Sequence, residues 1–408
     1  MYQMLKARSE ALKDEAVSFA MELVRTPSVS LNEADAAVRV ERRMKNLSFD
    51  RVIHDEAGNV VGLLLGRKPG PTVLLNCHLD TVAADEAQWS EPALSGRLED
   101  GKLHGLGASD CKGGLAAQVY AAELLKRSLL PLDGNVVVAT TVAEENGRSV
   151  GVRALMETTL PELGLKPDFA ILGEPTGLSL YYGHDGWVEL DVIVEGANPF
   201  QVEDSARAVH GFFDERCRQK CQFERPGVAA TRAPRMEDAD GLRRATIPID
   251  RWLYATESVQ EVISQVRENA ELVAKSVGAV AVDVSVPEDR QRLYTGRTSV
   301  VRRVANAWAI DPFDPLLERS RQTLAAAGCP ARASLWKLDR LGMGTAGGVL
   351  VKEFGVPTVG FGPGEETRAH APDEWVSVDK IAGAVYATAA VVHGLVGIPV
   401  FGWTTDEI

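Results

Sequence analysis

The sequence predicts an α/β fold with a covered mixed sheet, interrupted by a smaller inserted α+β unit. Three observations predict it. Short, fully apolar runs alternate with helical patterns over the first 186 residues. At 187–195 the run WVELDVIVE changes to alternating apolar and polar residues, as a sheet with one solvated face requires. From about residue 298 the first style returns, so one α/β unit is split around the other.

The elements follow in order. Residues 1–24 form an amphipathic helix with charges throughout and no long apolar core, unlike a secretory signal. Residues 59–65 and 71–77 read as neighbouring strands, 113–127 as a helix and 135–142 as a strand. A helix at 151–159 and a short apolar strand at 169–173 complete the first part. In the middle, the strand 187–195 precedes a helix at 204–222, and a strand at 245–254 precedes a helix at 258–277 opened by the capping residue Ser258. A strand at 279–286, with one more expected between 221 and 243, gives a ferredoxin-like order. A helix near 316–327, a strand at 358–361 and a last helix restore the first unit. The expected divisions are 1–186, 187–296 and 297–408. The stretch 381–403 carries no formally charged residue and is long enough to cross a bilayer. Its Ala, Gly and Val content, with Gly394, Gly397 and Pro399, favours a buried C-terminal helix instead.

Composition narrows the function. The 408 residues are 45% hydrophobic and 25% charged, which excludes disorder, collagen and coiled coil. A net charge of −13 without any Lys/Arg-rich run argues against a nucleic-acid partner, though not against a small anionic substrate. Five cysteines without a CxxC pair suit a reducing compartment, and the cytoplasm is the expected location.

Five segments carry the residue types of metal-assisted hydrolysis. The apolar strand ending in LLNCHLD places His78 and Asp80 on one face of an extended chain. Asp110 sits in the loop GLGASDCKGG before a helix, where it can bridge two cations; the loop matches neither common nucleotide fingerprint. Glu144 and Glu145 end another apolar strand, one suited to hold a metal and the other to act as general base on an activated water. Glu174 ends a third strand, and His370 follows the Gly/Pro loop FGPG. Each segment alone can be an ordinary turn. Together they gather imidazole and carboxylate ligands at strand ends, where open sheets place their sites. That donor set suits Zn, Mn, Co or Fe better than Mg or Ca.

The segments resemble the signature of the dinuclear metallohydrolases that include acetylornithine deacetylase, succinyl-diaminopimelate desuccinylase, aminoacylase and glutamate carboxypeptidase. HLD at 78–80, SDCKGG at 109–114, EEN at 144–146, GEPT at 173–176 and FGPG…HAPDE at 361–374 occur in that family's order. The resemblance implies a metallopeptidase-like catalytic domain with one or two divalent ions, Mn or Zn or else Co. His78, Asp110 and Glu174 would hold one ion, and Asp110, Glu145 and His370 the other. Glu144 would be the base and Asp80 would orient His78. It also implies an inserted lid that pairs with another copy, giving a homodimer or higher homo-oligomer. A subgroup carries a second Arg after idR in the lid; here the segment is IDRW, and Arg251 is the first candidate for a substrate carboxylate.

One departure stands out. Where relatives place a lid His that stabilises the oxyanion, this chain reads GANPF at 196–200, with Phe200 and no His. Losing such a donor costs roughly 10²–10³ in rate for acyl chemistry. His184 and His210 are candidate stand-ins. The segment 342–348, GMGTAGG, also departs from the family's cluster. The expected activity is therefore hydrolysis of a non-peptide C–N bond. Deamination of an amino-aromatic acid, as in 5-nitroanthranilate aminohydrolase, is preferred over N-acyl amino acid deacylation or dipeptide cleavage. A non-catalytic scaffold is the remaining alternative.

Overall fold

The computed structural model describes all residues except 147, 219–226, 240, 339–342 and 398–408. The end of the 204–222 helix, Cys221, Gly342 and the last part of 381–403 lie outside the described residues. Eight strands make one mixed sheet in the order Arg51–His54, Val60–Leu64, Asn135–Thr141, Thr72–His78, Phe169–Leu172, Thr358–Gly360, Leu180–Tyr181, Ala333–Ser334. Thr72–His78 is parallel to both of its neighbours and buried along its whole length, which is why it reads as a continuous apolar run.

The expected pairing of 59–65 with 71–77 is corrected. Asn135–Thr141 lies between them, antiparallel to Val60–Leu64 and parallel to Thr72–His78. The chain crosses under this inserted strand at glycine. A Cβ on Gly66 would lie 2.0 Å from the Gly134 carbonyl oxygen, so the crossing is closed to larger residues.

Strand periodicity divides the core into two layers. Val73, Leu75, Val136 and Val138 face the helices Tyr2–Val24, Gly113–Arg127 and Val378–Val396. Leu74 and Val137 face Val152, Leu155, Trp308 and Trp336 on the other side. The helix Val378–Val396 is buried because it packs against three other helices, Tyr2–Val24, Gly113–Arg127 and Pro315–Ala326, and no helix among the described residues is long and apolar enough to cross a membrane.

A second sheet has its own core. Its order is Val228–Thr231, Leu242–Leu253, Gly186–Gly196, Ala281–Ser285, with Arg235–Ala239 also on Leu242–Leu253 and Val304–Ala305 on Gly186–Gly196. Two strands, not the one expected, thus fill the stretch before residue 243. The helices Pro199–Arg218 and Val259–Lys275 cover Val188, Leu190, Val192 and Val194, leaving Glu189, Asp191 and Glu195 on the open face. The first helix starts at Pro199 because the Asn198 side chain accepts from the Phe200 N–H at 3.1 Å. The second opens in a capping box between Ser258 and Glu261.

The helix Gly113–Arg127 meets the sheet at Gly114, where a Cβ would fall 1.8 Å from the Gly173 carbonyl oxygen. Gly114→Ala must therefore push back the turn that carries Glu174. It should cost about 1–3 kcal/mol of stability as an overpacked contact. An unchanged thermal midpoint would refute this close approach.

Candidate metal centre

The central strands of the large sheet end side by side, and their ends carry the acids and histidines. His78 closes Thr72–His78, Glu144 and Glu145 follow Asn135–Thr141, and Glu174 follows Phe169–Leu172. Ala143 turns the chain with φ 52°, sending the two glutamates back over the sheet end. The Asp80 carboxylate fixes that turn, accepting from the N–H groups of Glu144 at 3.1 Å and Glu145 at 3.0 Å. Ser30 donates to the same carboxylate at 2.7 Å. The expected contact of this carboxylate with the His78 ring is a long one. The His78 Nδ1–H donates to the backbone carbonyl of Asp80 at 2.8 Å, while the Asp80 Oδ1 stands 3.7 Å away. The result is still a His78 ring with Nε2 free to ligate.

Two ligand clusters share Asp110. His78 Nε2 lies 3.2 Å from Asp110 Oδ1 and 3.7 Å from Glu174 Oε2. His370 Nε2 lies 2.6 Å from Glu145 Oε2 and 3.5 Å from Asp110 Oδ2. Within each cluster the ligand atoms are within 4.8 Å of one another, and Cys111 Sγ falls in the first. Glu144 is buried beside them, its Oε1 3.5 Å from the Ser149 hydroxyl.

The electrostatics ask for positive charge. Burial drives Glu144 well above the usual carboxylate range, with Glu174, Glu145 and Asp80 adding repulsion and His78 opposing it. Burial likewise raises Glu174 to about 7 against the attraction of His78. Burial lowers His370, but its hydrogen bond and attraction to Glu145 outweigh that and lift it to about 9. Protons thus hold together groups that a divalent cation would hold better, and the mixed oxygen and imidazole donors fit a transition-metal ion.

Sequence reasoning left Glu374 without a role. Its buried carboxylate accepts from the N–H groups of Gly107 at 2.9 Å, Ser109 at 2.6 Å and Asp110 at 2.9 Å, shaping the loop that presents Asp110. Those partners lie more than 260 positions away, so no local spacing signals them. Arg148 was also passed over; it lines a narrow cleft with Glu144, Ser149, Asn306 and Thr345.

The candidate substrate residues fare differently. Arg251 is committed within the smaller unit, donating to Glu257 at 2.8 and 3.0 Å and to the Trp252 carbonyl at 2.7 Å, which corrects its assignment to a substrate carboxylate. His184 is corrected as an oxyanion donor. Its Nδ1–H donates to the Asp185 carbonyl, its Nε2 accepts from the Thr345 N–H at 3.0 Å, and burial lowers it to about 4, so it stays neutral. It packs between Trp308 and Trp336 as a structural residue. Phe200 stands 79% exposed near the start of its helix, and His210 is half-buried in the same helix.

Comparison with known proteins adds a family. The model of peptidase family M20/M25/M40 matches residues 74–394. The uncharacterized protein YgeY of Escherichia coli (strain K12) is 25% identical over 95% of this chain and 96% of its own. A succinyl-diaminopimelate desuccinylase of Bradyrhizobium sp. (strain BTAi1) is 33% identical over 49% of this chain and 58% of its own. The N-formyl-4-amino-5-aminomethyl-2-methylpyrimidine deformylase of Bacillus subtilis (strain 168) is 24% identical over 79% of both. In fold, the chain matches the di-peptidase Dug1p of Saccharomyces cerevisiae with a TM-score of 0.66 at 13% identity, over 96% of this chain and 98% of that one.

Adding Mn²⁺ or Zn²⁺ to chelator-treated protein should raise its thermal midpoint. At a hundredfold excess over Kd the gain is about 2.7 kcal/mol. The gain should be larger at about pH 7.5 than at about pH 5.5, since protons on these raised carboxyl and imidazole groups compete with the cation. Asp110→Ala should abolish most of it. Equal gains at both pH values would count against these ligands.

Proposed function

The chain belongs to the M20/M25/M40 peptidase family, hydrolases of carbon–nitrogen bonds, and from that premise we propose that it removes a small acyl group from the nitrogen of an amino-acid-like substrate. The observation that carries the reading is the buried pairing of Glu144 with two ligand clusters that share Asp110. In this reading His78, Asp110 and Glu174 hold one divalent ion, and Asp110, Glu145 and His370 hold a second, Mn or Zn or else Co. Such ions supply Lewis acidity, polarising the scissile carbonyl and lowering the pKa of a water. Glu144 accepts a proton from the attacking water and delivers it to the departing nitrogen. Burial and neighbouring acids raise its proton affinity, which suits both halves of that task. Asp80 keeps Glu144 and Glu145 in register through their N–H groups.

Acyl removal replaces deamination as the favoured activity. Two of the relatives are by name a desuccinylase and a deformylase. Deamination rested on the missing lid His, and Phe200, which stands in its place, is largely exposed. It stays as a second reading only because residue 200 is not His. We further propose pairing of two copies through the smaller unit. Support comes from the sheet edge at Ala281–Ser285, which pairs on one side only among the described residues, and from exposed Leu272 on the neighbouring helix.

Glu144→Gln should keep metal content and fold while lowering kcat by roughly 10²–10⁴. Near-wild-type turnover would sink the base assignment. On N-acyl substrates Phe200→His should raise kcat by supplying an oxyanion donor; on amino-aromatic acids it should give no gain. Ammonia release from the aromatic panel without acyl release would reverse the preference.

A further inference from the structure

Residues 26–33, which follow the helix Tyr2–Val24, reach three of the turns that build the centre. The Ser28 carbonyl accepts from the Thr81 N–H at 2.9 Å, and the Ser30 N–H donates to the Thr81 carbonyl at 3.3 Å, which fixes the segment beside Asp80. The Ser30 hydroxyl donates to Asp80 Oδ2 at 2.7 Å, the same oxygen that accepts from the Glu145 N–H. The Thr26 carbonyl accepts from the buried Lys112 ammonium at 2.9 Å, two residues past Asp110.

Glu33 makes the contact that ties these together. Its side chain is fully buried, and its Oε1 accepts from two N–H groups, that of Leu31 at 2.8 Å and that of Ala143 at 3.0 Å. Both donors are left-handed residues other than glycine, Leu31 with φ 72° and Ala143 with φ 52°. Such residues keep that conformation only where their surroundings fix it. One carboxylate oxygen thus joins the bend of this segment to a bend 110 positions later, the one that carries Glu144 and Glu145. Glu33 stands at the start of the helix Ala34–Asn46, yet its side chain caps none of that helix's N–H groups. Burial, and then the charge of Asp80, push its carboxyl up to about 7, so the acid is kept there at a cost that helix capping does not explain.

We propose that residues 26–33 clamp the metal centre, with Glu33 and Ser30 as positioning residues that seat Glu144 and Glu145. They act through Ala143 and Asp80 rather than on substrate. The inference rests on the reading of Glu144 as base and Glu145 as ligand, whichever acyl group leaves.

The test takes three measurements on the full-length protein. Hydrogen exchange over residues 142–146 is first followed without metal. Glu33→Leu, which removes the acceptor, should speed exchange there about 10-fold, and Glu33→Gln, which keeps an oxygen in its place, should stay near wild type. Equal exchange in Glu33→Leu and wild type overturns the clamp.

Mn²⁺ is then titrated into each chelator-treated protein by calorimetry, with Glu145→Gln marking the binding event that depends on Glu145. Glu33→Leu should weaken that event by about 10- to 100-fold and leave the other nearly unchanged, as the loss of a group that orients a ligand does. Glu33→Gln should restore it. If Glu33→Leu weakens both events alike, or spares the one that Glu145→Gln weakens, the proposal is overturned. If Glu145→Gln itself weakens neither, the ligand reading fails, and the exchange measurement alone decides the clamp.

Turnover of N-acetyl amino acids is the third readout. In Glu33→Leu kcat should fall about 10- to 100-fold with KM held, since a displaced base costs rate rather than binding. A change confined to KM overturns the positioning role. If wild type hydrolyses none of these substrates, the acyl-removal reading fails while the first two measurements still decide the clamp. Should Glu33→Leu not fold, Ser30→Ala, which frees Asp80 Oδ2, carries the same predictions at the lower end of each range.

Discussion

The site depends on keeping four acids, Asp110, Glu144, Glu145 and Glu174, in one nearly dry space against their own repulsion. Regular structure cannot do this alone, because the acids sit on loops whose N–H groups have left the strand ladders. Three further buried carboxylates take up those N–H groups. Asp80 binds the turn of Glu144 and Glu145, and Glu374 binds the loop of Asp110. Glu33 accepts from Ala143 at 3.0 Å, one residue before Glu144. Acids that hold no ion thus position the acids that would. The arrangement adds negative charge to an already crowded place, and a divalent cation is the natural way to offset it.

That division of labour explains what the sequence made legible. Parallel buried strands announce themselves as apolar runs, and a polar residue that ends such a run is conspicuous; His78, Glu144 and Glu174 were found that way. Strand order was not legible, because no local pattern marks Asn135–Thr141 as the strand that inserts between two earlier ones. Glu374 and Glu33 escaped because their partners lie far along the chain, where residue type carries no positional signal. Arg251 was misjudged for the opposite reason. Its partner Glu257 is only six residues away, across the end of a strand whose exact limit decides whether the two meet.

The smaller unit shows a looser relation between residue and role. Its core is apolar on one sheet face, while the other carries the charged set Glu189, Asp191, Arg303 and Asp289 at the junction with the catalytic portion. Residue 200 sits beyond both, near a helix start held by the Asn198 side chain rather than by packing. A side chain so placed can change from imidazole to phenyl at almost no cost to the fold. The ligand positions have no such freedom, since the ligand atom of each lies within 4.8 Å of those of two or more others. Chemistry common to a family is therefore fixed where side chains constrain one another. Selectivity drifts where they do not. Of this chain's departures, Phe200 falls in the second class, whereas the 343–348 part of the GMGTAGG segment is held in place, with Thr345 bonded to His184 and a Cβ on Gly347 only 2.3 Å from the Trp308 ring.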